Sequence, residues 1–294
     1  MKFGSLKKRT PLNKCLFAFF FCFILVSFQK DKPAYLLYNE SGKRVKYNKA
    51  LCDLVKADVI LFGEYHDNPI SHWLQLELAK DLHVKSSLML GGEMFEVDNQ
   101  DELDEYMKST SIQIDEIDSI RLWPNYATDY APLVEFAKSN QLKFVCTNVP
   151  RRTARIVYKE GFAALDELSK LEKSYVAKLP IAYDPDLPGY KAMLSMMGGN
   201  HSNEKLPMAQ ALKDATMAEF ILKNRGDKLF LHFNGSYHSN NFEGIYWYLK
   251  NADPELKIKT IATVSQANVR ALENENMGIA NYIIAVPGSM TSTH

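Results

Sequence analysis

Short runs of apolar residues recur along the chain, each long enough for one strand and too short for a typical helix. They lack the alternation of apolar and polar residues that marks a strand with one face in water, so they predict strands buried on both faces. Polar residues and glycines bound them, as is common at strand ends. The predicted strands are Val59–Phe62, Ser87–Leu90, Lys143–Cys146, Lys228–Phe233, Ile258–Thr263 and Tyr282–Val286.

Segments with helical spacing of apolar residues lie between several of these runs. They are Ser71–Leu82, Leu133–Ser139, Arg152–Lys159 and Met208–Lys223. Alternating strands and helices favour right-handed crossovers between parallel strands. We therefore expect an α/β fold with a mostly parallel central sheet and helices on both faces.

The segment before these elements, Ala34–Val45, contains the turn signal Ser41-Gly42 and predicts a small hairpin at the edge of the sheet. The rest of the chain has no internal repeat, no low-complexity tract and no long linker rich in Gly, Pro or Ser. This organisation predicts one domain, residues 34–294.

The first 28 residues have the pattern of a signal peptide. Basic residues at positions 7, 8, 9 and 14 precede an uncharged apolar stretch from Cys15 to Phe28, which is shorter than the ~20 residues of a membrane-spanning helix. Cys22 lies inside this stretch rather than after it, so the pattern does not favour a lipid anchor. We expect residues 1–28 to be removed and the protein to be exported to the periplasm or cell envelope.

The charge of the chain bears on whether it binds nucleic acid, and its cysteine content bears on whether it forms a disulfide. The chain has 35 basic and 35 acidic residues and a formal net charge of +0 at pH 7, so no nucleic-acid partner is expected. After export two cysteines remain, Cys52 and Cys146. They can form a disulfide in an oxidising compartment, and two separate buried thiols are the alternative.

Polar residues follow four of the predicted strands at the point where each strand ends. The four segments are Gly63-Glu64-Tyr65-His66-Asp67-Asn68, Gly92-Glu93-Met94-Phe95, Thr147-Asn148-Val149-Pro150-Arg151 and Asn234-Gly235-Ser236-Tyr237-His238. The carboxyl ends of parallel strands share one edge of a sheet, and ligands bind there in open α/β folds. The four segments therefore predict a single pocket.

Two carboxylates and two imidazoles are expected in this pocket: Glu64, His66, Glu93 and His238. Such a set can share protons or bind a metal ion. Taken singly, each segment has a simpler interpretation, with Glu64 as a helix cap and Gly63 as a turn glycine. Together they favour a functional site.

The motifs resemble those of the ChaN-like haem-binding family, in the same order and from about Asp58 to Tyr248. They are Gly63-Glu64-x-His66-Asp67-Asn68-Pro69, Glu93-Met94-Phe95 with Gln100, Asn148-Val149-Pro150-Arg151, Gln210 with Asp214 and Met217-Ala218, and Gly235-x-x-His238. This family is similar in its core to the erythromycin esterases and the Tiki metalloproteases.

The resemblance implies haem binding in the cell envelope, in the acquisition or handling of iron. It implies an iron held by a tyrosine, a histidine from a second subunit nearby, and therefore a homodimer around haem that works with iron-uptake components of the envelope. A phenolate oxygen suits ferric haem, and the planar fork of an arginine suits a propionate. The candidate haem contacts are Tyr65, His66, Arg151, Tyr183, Tyr237 and His238, with Tyr190 as a further candidate ligand.

A hydrolase similar to the esterase and protease relatives is the alternative. Glu64 or His66 would then activate a water, with Glu93 and His238 completing the catalytic set. A divalent metal such as zinc would lie between His66, Glu93 and His238.

Two further segments are candidates for the surroundings of the pocket. Residues 183–208 combine methionines and tyrosines with Gly198-Gly199 and predict a helical cover over the site, with plain core packing as the alternative. Trp123-Pro124-Asn125-Tyr126 with Tyr130 forms an aromatic cluster that packs in the core or lines the rim of a pocket.

Overall fold

The computed structural model describes Met1, Gly4 and residues 31–196 and 204–293. The chain separates into two units, Met1–Lys32 and Pro33–His294, and the fold below is that of the second unit. The predicted signal peptide, apart from Met1 and Gly4, lies outside the described residues, and so does the 197–203 part of the predicted cover. No described helix has the length and apolar character needed to cross a membrane.

A seven-stranded sheet forms the centre of this unit. Its strands are β1 Leu36–Asn39, β2 Val59–Glu64, β3 Leu88–Glu96, β4 Phe144–Asn148, β5 Leu229–Gly235, β6 Ile258–Gln266 and β7 Tyr282–Pro287. They lie in the order β1-β7-β6-β2-β5-β3-β4. All neighbouring strands are parallel except β1, which is antiparallel to β7.

Helices cover both faces of the sheet. In β2, Ile60 and Phe62 belong to an apolar cluster that includes residues of the helices 47–54 and 69–85. Val59 and Leu61 belong to a second cluster, which includes residues of the helices 206–225 and 245–252. The expected mostly parallel α/β fold is therefore confirmed. The α-helices are α1 Tyr47–Leu54, α2 Pro69–Lys85, α3 Gln100–Lys108, α4 Ala131–Ser139, α5 Arg151–Glu160, α6 Lys170–Ser174, α7 Pro188–Met196, α8 Leu206–Arg225 and α9 Ile245–Ala252.

The start of α2 is fixed by its sequence. Asn68 is the N-cap, and its side chain accepts hydrogen bonds from the backbone N–H groups of Ile70 (3.1 Å) and Ser71 (3.0 Å). Pro69 occupies the first helical position, where a missing N–H costs nothing. The cap ends the preceding loop sharply, so the short segment 65–67 stays at the end of β2.

The predicted small hairpin is present at the edge of the sheet. Backbone hydrogen bonds join Val45 to Leu37 (2.8 Å) and Asn39 to Lys43 (2.9 Å), and Tyr38 forms an antiparallel bridge with Arg44. The residues after the turn form no named strand, because α1 begins at Tyr47, and β1 pairs along its length with β7 instead.

The two cysteines of this unit are free thiols, so the possible disulfide is not formed. Cys52 is exposed on α1, whereas Cys146 is buried in β4. Burial raises the pKa of the Cys146 thiol, which makes it a poor nucleophile. The alternative of two separate thiols describes the structure, although only one of them is buried.

Candidate functional site

The strand order explains why distant residues meet at the carboxyl edge of the sheet. β5 lies between β2 and β3, and the register aligns Glu64 at the end of β2 with Gly235 at the end of β5. On the other side of β5, Gly92 of β3 is aligned with Phe233, so that Glu93 follows at the same edge. Three adjacent strands thus deliver the predicted groups to one place.

Glu64 is buried and its carboxylate is saturated with hydrogen-bond donors. Oε1 accepts from the Tyr130 hydroxyl (2.6 Å) and from Nδ1 of His66 (2.9 Å). Oε2 accepts from the Gln75 amide, and Nδ1 of His72 lies 3.6 Å away. Burial alone would raise the pKa of Glu64, but the His66 bond and the other nearby donors lower it below its ordinary value. Glu64 is therefore an ionised group that orients His66.

His238 is held between two buried carboxylates. Its Nδ1 lies 2.5 Å from Oδ1 of Asp214, and its Nε2 lies 3.1 Å from Oε1 of Glu93. The other Glu93 oxygen accepts from the N–H of Gly235 (2.8 Å) and the other Asp214 oxygen from the hydroxyl of Tyr190 (3.3 Å). Burial disfavours the charged ring, but Glu93 and Asp214 outweigh burial and raise the pKa of His238 to about 9. At neutral pH His238 is an imidazolium with both N–H groups in use.

The two carboxylates around His238 are unequal. Burial would raise the pKa of Glu93, but the charge of His238 holds it well below its usual range. Burial raises the pKa of Asp214, and the charge of Glu93 adds to the rise against the opposing effect of His238. This charged cluster of Asp214, His238 and Glu93 is internally satisfied.

His66 differs from the other three predicted groups because it has a free nitrogen at the pocket. Its side chain is 44 % exposed, its Nδ1 is taken by Glu64, and no described residue hydrogen-bonds its Nε2. The Trp123 ring packs edge-on against it at 4.8 Å. The bare backbone of Gly235 leaves room for the imidazole, since a Cβ there would lie 2.9 Å from both Cε1 and Nε2. Burial lowers the pKa of His66, but the hydrogen bond to Glu64 and the charges of Glu93 and Glu64 together outweigh burial, so the pKa is raised.

The pocket in front of these groups has a volume of about 680 Å³. All four predicted groups line it, together with Tyr65, Tyr237, Met193 and Lys213. The predicted convergence of Glu64, His66, Glu93 and His238 is therefore confirmed. Its floor is polar, whereas Tyr65 and Tyr237, about 40 % exposed, stand at its mouth.

Two of the predicted haem contacts lie away from the pocket. Arg151 is exposed at the start of α5, where its backbone N–H donates to Glu96 (3.0 Å). It follows β4, which lies beyond β3 at the edge of the sheet, and this displaces it from the three central strands. Tyr183 is half-buried between the rings of Phe162 and Tyr190. Neither lines the pocket.

The predicted cover is represented by α7 and the beginning of α8. Met193 of α7 lines the pocket, and Tyr190 reaches the charged cluster through Asp214. Met208 packs instead with a separate apolar cluster behind α5. The described part of the cover thus combines one pocket residue with ordinary core packing.

The metal alternative receives no support from the described residues, which contain no group of three His, Cys, Asp or Glu side chains placed to hold a metal ion. The proposed set was His66, Glu93 and His238. The chemical reason is that both nitrogens of His238 already face carboxylates. A protonated imidazole has no lone pair for a metal.

Sequence reasoning missed several groups that shape the site. Tyr130, Gln75 and His72 surround Glu64, and Lys213 is the one Lys or Arg among the described pocket residues. The aromatic cluster was a partial signal for Tyr130 and Trp123. Gln210 and Asp214 were seen as motif residues, but their contacts with His238 were not foreseen.

Comparisons with known proteins agree with this picture. The model of the family described as "Haem-binding uptake, Tiki superfamily, ChaN" matches residues 50–249. The solved structure described as cofacial haem binding to ChaN of Campylobacter jejuni has a TM-score of 0.65 at 19 % identity, covering 85 % of this chain and 96 % of the other. At this identity the likeness shows the fold.

More distant structural likenesses carry no argument about function. A succinoglycan biosynthesis protein has a TM-score of 0.49 at 11 % identity, covering 86 % of this chain and 94 % of the other. An erythromycin esterase mutant in its open conformation has a TM-score of 0.45 at 14 % identity, covering 78 % and 77 %. No curated protein matches the chain in sequence.

Proposed function

Because the chain belongs to the haem-binding ChaN family of the Tiki superfamily, we propose that it binds haem at the mouth of the pocket. We further propose that it is an exported protein of the cell envelope that acquires or handles haem iron. Envelope iron-uptake components are its proposed partners. The supporting observation is a pair of exposed tyrosines at the rim of the pocket, Tyr65 and Tyr237.

Tyr65 is the favoured iron ligand. Its side chain is 40 % exposed at the pocket rim, and its hydroxyl makes no hydrogen bond with a described residue. The Tyr237 hydroxyl, in contrast, donates to the carbonyl of Gly189 at 3.4 Å. Tyr183 packs outside the pocket. A phenolate is a hard oxygen donor, and ferric haem supplies the iron centre that such a ligand binds.

The remaining pocket residues fit a haem that lies at the rim. A volume of about 680 Å³ falls within the ~300–1,000 Å³ of common ligand pockets. Met193 offers an adaptable apolar contact. Lys213 is the one Lys or Arg among the described residues that line the pocket, so it replaces Arg151 as the proposed partner of a propionate.

A rim position leaves the outer face of the haem open to water. We propose that a second copy of the chain covers this face, so that haem and dimer form together. Analytical ultracentrifugation with and without haemin tests this. A sedimentation coefficient that stays at the monomer value after saturation with haemin would contradict it.

Titration of the purified protein with haemin tests the main proposal. Saturable binding with a tyrosinate-to-iron charge-transfer band is expected, and Tyr65→Phe is expected to abolish the band. Tyr183→Phe is the matched control and should behave as the wild type. Tyr237→Phe should keep the band, and loss of the band in this variant would identify Tyr237 as the ligand instead. Weak, non-saturable association of the wild type would overturn the proposal.

Export is tested separately. Mass spectrometry of the protein recovered from the envelope should show a chain that lacks residues 1 to about 28, without a lipid on Cys22. A mature chain that begins at Met1 would contradict export by signal-peptide cleavage.

One observation supports hydrolysis as a second candidate function. His66 is oriented by the ionised Glu64 and has a free Nε2 at the pocket, an arrangement that suits a general base acting on water. Saturated by donors, Glu64 itself is the weaker candidate. Hydrolysis of small activated esters should then be lost in His66→Gln and retained in His83→Gln. Equal rates in both variants would remove this candidate.

A further inference from the structure

The loop Tyr65–Asp67 carries both the favoured iron ligand and the open imidazole, and it is held through its backbone carbonyls. The carbonyl of His66 accepts from the Asn125 amide (2.6 Å), and Nε2 of His72 lies 3.0 Å from the same oxygen. These contacts fix the backbone of the loop and thereby the positions of the Tyr65 and His66 side chains at the pocket.

Thr293, more than 200 positions further along the chain, holds the next carbonyl. Its backbone N–H donates to the carbonyl of Asp67 at 3.0 Å. Its hydroxyl lies 2.6 Å from Oδ2 of Asp129 and 3.3 Å from the Asp67 carbonyl. A hydroxyl has one proton to donate, and the shorter contact with a carboxylate takes it.

Asp129 joins the two contacts into one network. It is buried, and its Oδ2 also accepts from the Asn125 amide at 2.6 Å. Asn125 has two amide protons, one for Asp129 and one for the His66 carbonyl. A continuous series of hydrogen bonds therefore runs from Thr293 through Asp129 and Asn125 to His66.

We propose that Thr293 is a positioning residue for the pocket, which fastens the loop Tyr65–Asp67 so that Tyr65 stands where haem iron can reach it. The inference rests on the proposed haem binding. The contact is not a by-product of regular structure, because residues 288–293 form no helix or strand after β7. β7 is also separated from β2 by β6.

Four variants of the full chain test the proposal. Thr293→Val keeps the shape and removes the hydroxyl, Thr293→Pro removes the backbone donor, and Thr293→Ser keeps both. Thr291→Val is the matched control, because Thr291 is exposed and makes no hydrogen bond with the loop. Each variant is measured by hydrogen exchange of the Asn68 amide, which bonds to the Tyr65 carbonyl at 3.0 Å, and by haemin titration.

In Thr293→Val and Thr293→Pro we expect Asn68 exchange to be about tenfold faster, with about tenfold weaker haemin binding and a diminished tyrosinate band. Thr293→Ser and the control should match the wild type. Unchanged exchange, or faster exchange with unchanged haemin affinity and spectrum, would overturn the proposal. A wild type that fails to bind haemin would instead overturn the proposed function, and the exchange rates would still show whether Thr293 fastens the loop.

Discussion

Raising the pH from 6 to 9 is expected to destabilise the protein through one buried side chain, His238. In the folded state its ring carries a proton on each nitrogen, held by Asp214 and Glu93. In the unfolded chain those carboxylates are distant. The two states therefore bind the His238 proton with different affinity, and the free energy of unfolding depends on pH.

The magnitude follows from the pKa of His238, which the structure raises from 6.5 to about 9. At about 1.36 kcal/mol per pH unit, retaining this proton contributes about 3 kcal/mol to the free energy of unfolding. The contribution is complete below pH 6.5. It is lost as the pH rises from 6.5 to 9, because the unfolded state releases its proton first and the folded state last.

Urea unfolding at half-unit steps from pH 6 to pH 9, followed by circular dichroism, measures this dependence. His238→Asn removes the titrating group and leaves two buried carboxylates without their cation, which costs about 3–5 kcal/mol at pH 6. The difference between wild type and variant should shrink toward pH 9. His83→Asn, in the last turn of α2, is the matched control and should retain the wild-type slope. If His238→Asn shows the same slope as the wild type, the assignment of His238 as a buried imidazolium is wrong.

Three further predictions concern the surroundings of the pocket. Gly235→Ala should displace His66, since the new Cβ would lie 2.9 Å from its ring, and weaken haemin binding more than tenfold while the urea midpoint changes little; a full loss of folding would contradict this. Tyr130→Phe removes a donor to the ionised Glu64 and should cost about 1.5–3 kcal/mol at pH 7. Because the pKa of Glu64 is lowered from its ordinary value of 4.5, this cost should persist at pH 4.5 and decrease only at lower pH, where Glu64 becomes protonated; a cost that is already lost at pH 4.5 would argue against an ionised Glu64. Asn68→Ala removes the cap of α2 and should lower the free energy of unfolding by about 1 kcal/mol; an unchanged urea midpoint would show that the cap is dispensable.

The strands were predictable because each is an apolar run between polar ends, but their carboxyl ends were placed too early. β2 continues through Gly63 to Glu64, and β3 continues from Leu90 to Glu96 with a bulge after Gly92. Glycines and charged residues are poor strand formers in isolation. Here neighbouring strands supply their hydrogen bonds, so the sheet carries the chain beyond the point where propensity alone would end it.

The meeting of the carboxylates and imidazoles could also be predicted, because it depends on strand ends in a parallel sheet. What each group does could not. His238 was expected at a metal or haem contact, yet its role is set by Asp214 on α8. Likewise, the state of Glu64 is set by Tyr130, which lies in a π-helical turn. Contacts between side chains of distant elements have no periodic signal in the sequence.

The position of β5 also governs when the protein can assemble. β2 and β3 are close in the chain but do not touch as strands, since β5, formed by Leu229–Gly235, lies between them. A chain emerging from the ribosome or across a membrane exposes the inner edges of both strands until that late segment arrives. Pairings of such long sequence separation fold slowly and leave unpaired edges open to aggregation. The central sheet therefore cannot form until the last quarter of the chain, which contains β5, is available for pairing. A chaperone that shields strand edges is expected to increase the yield and the rate of folding.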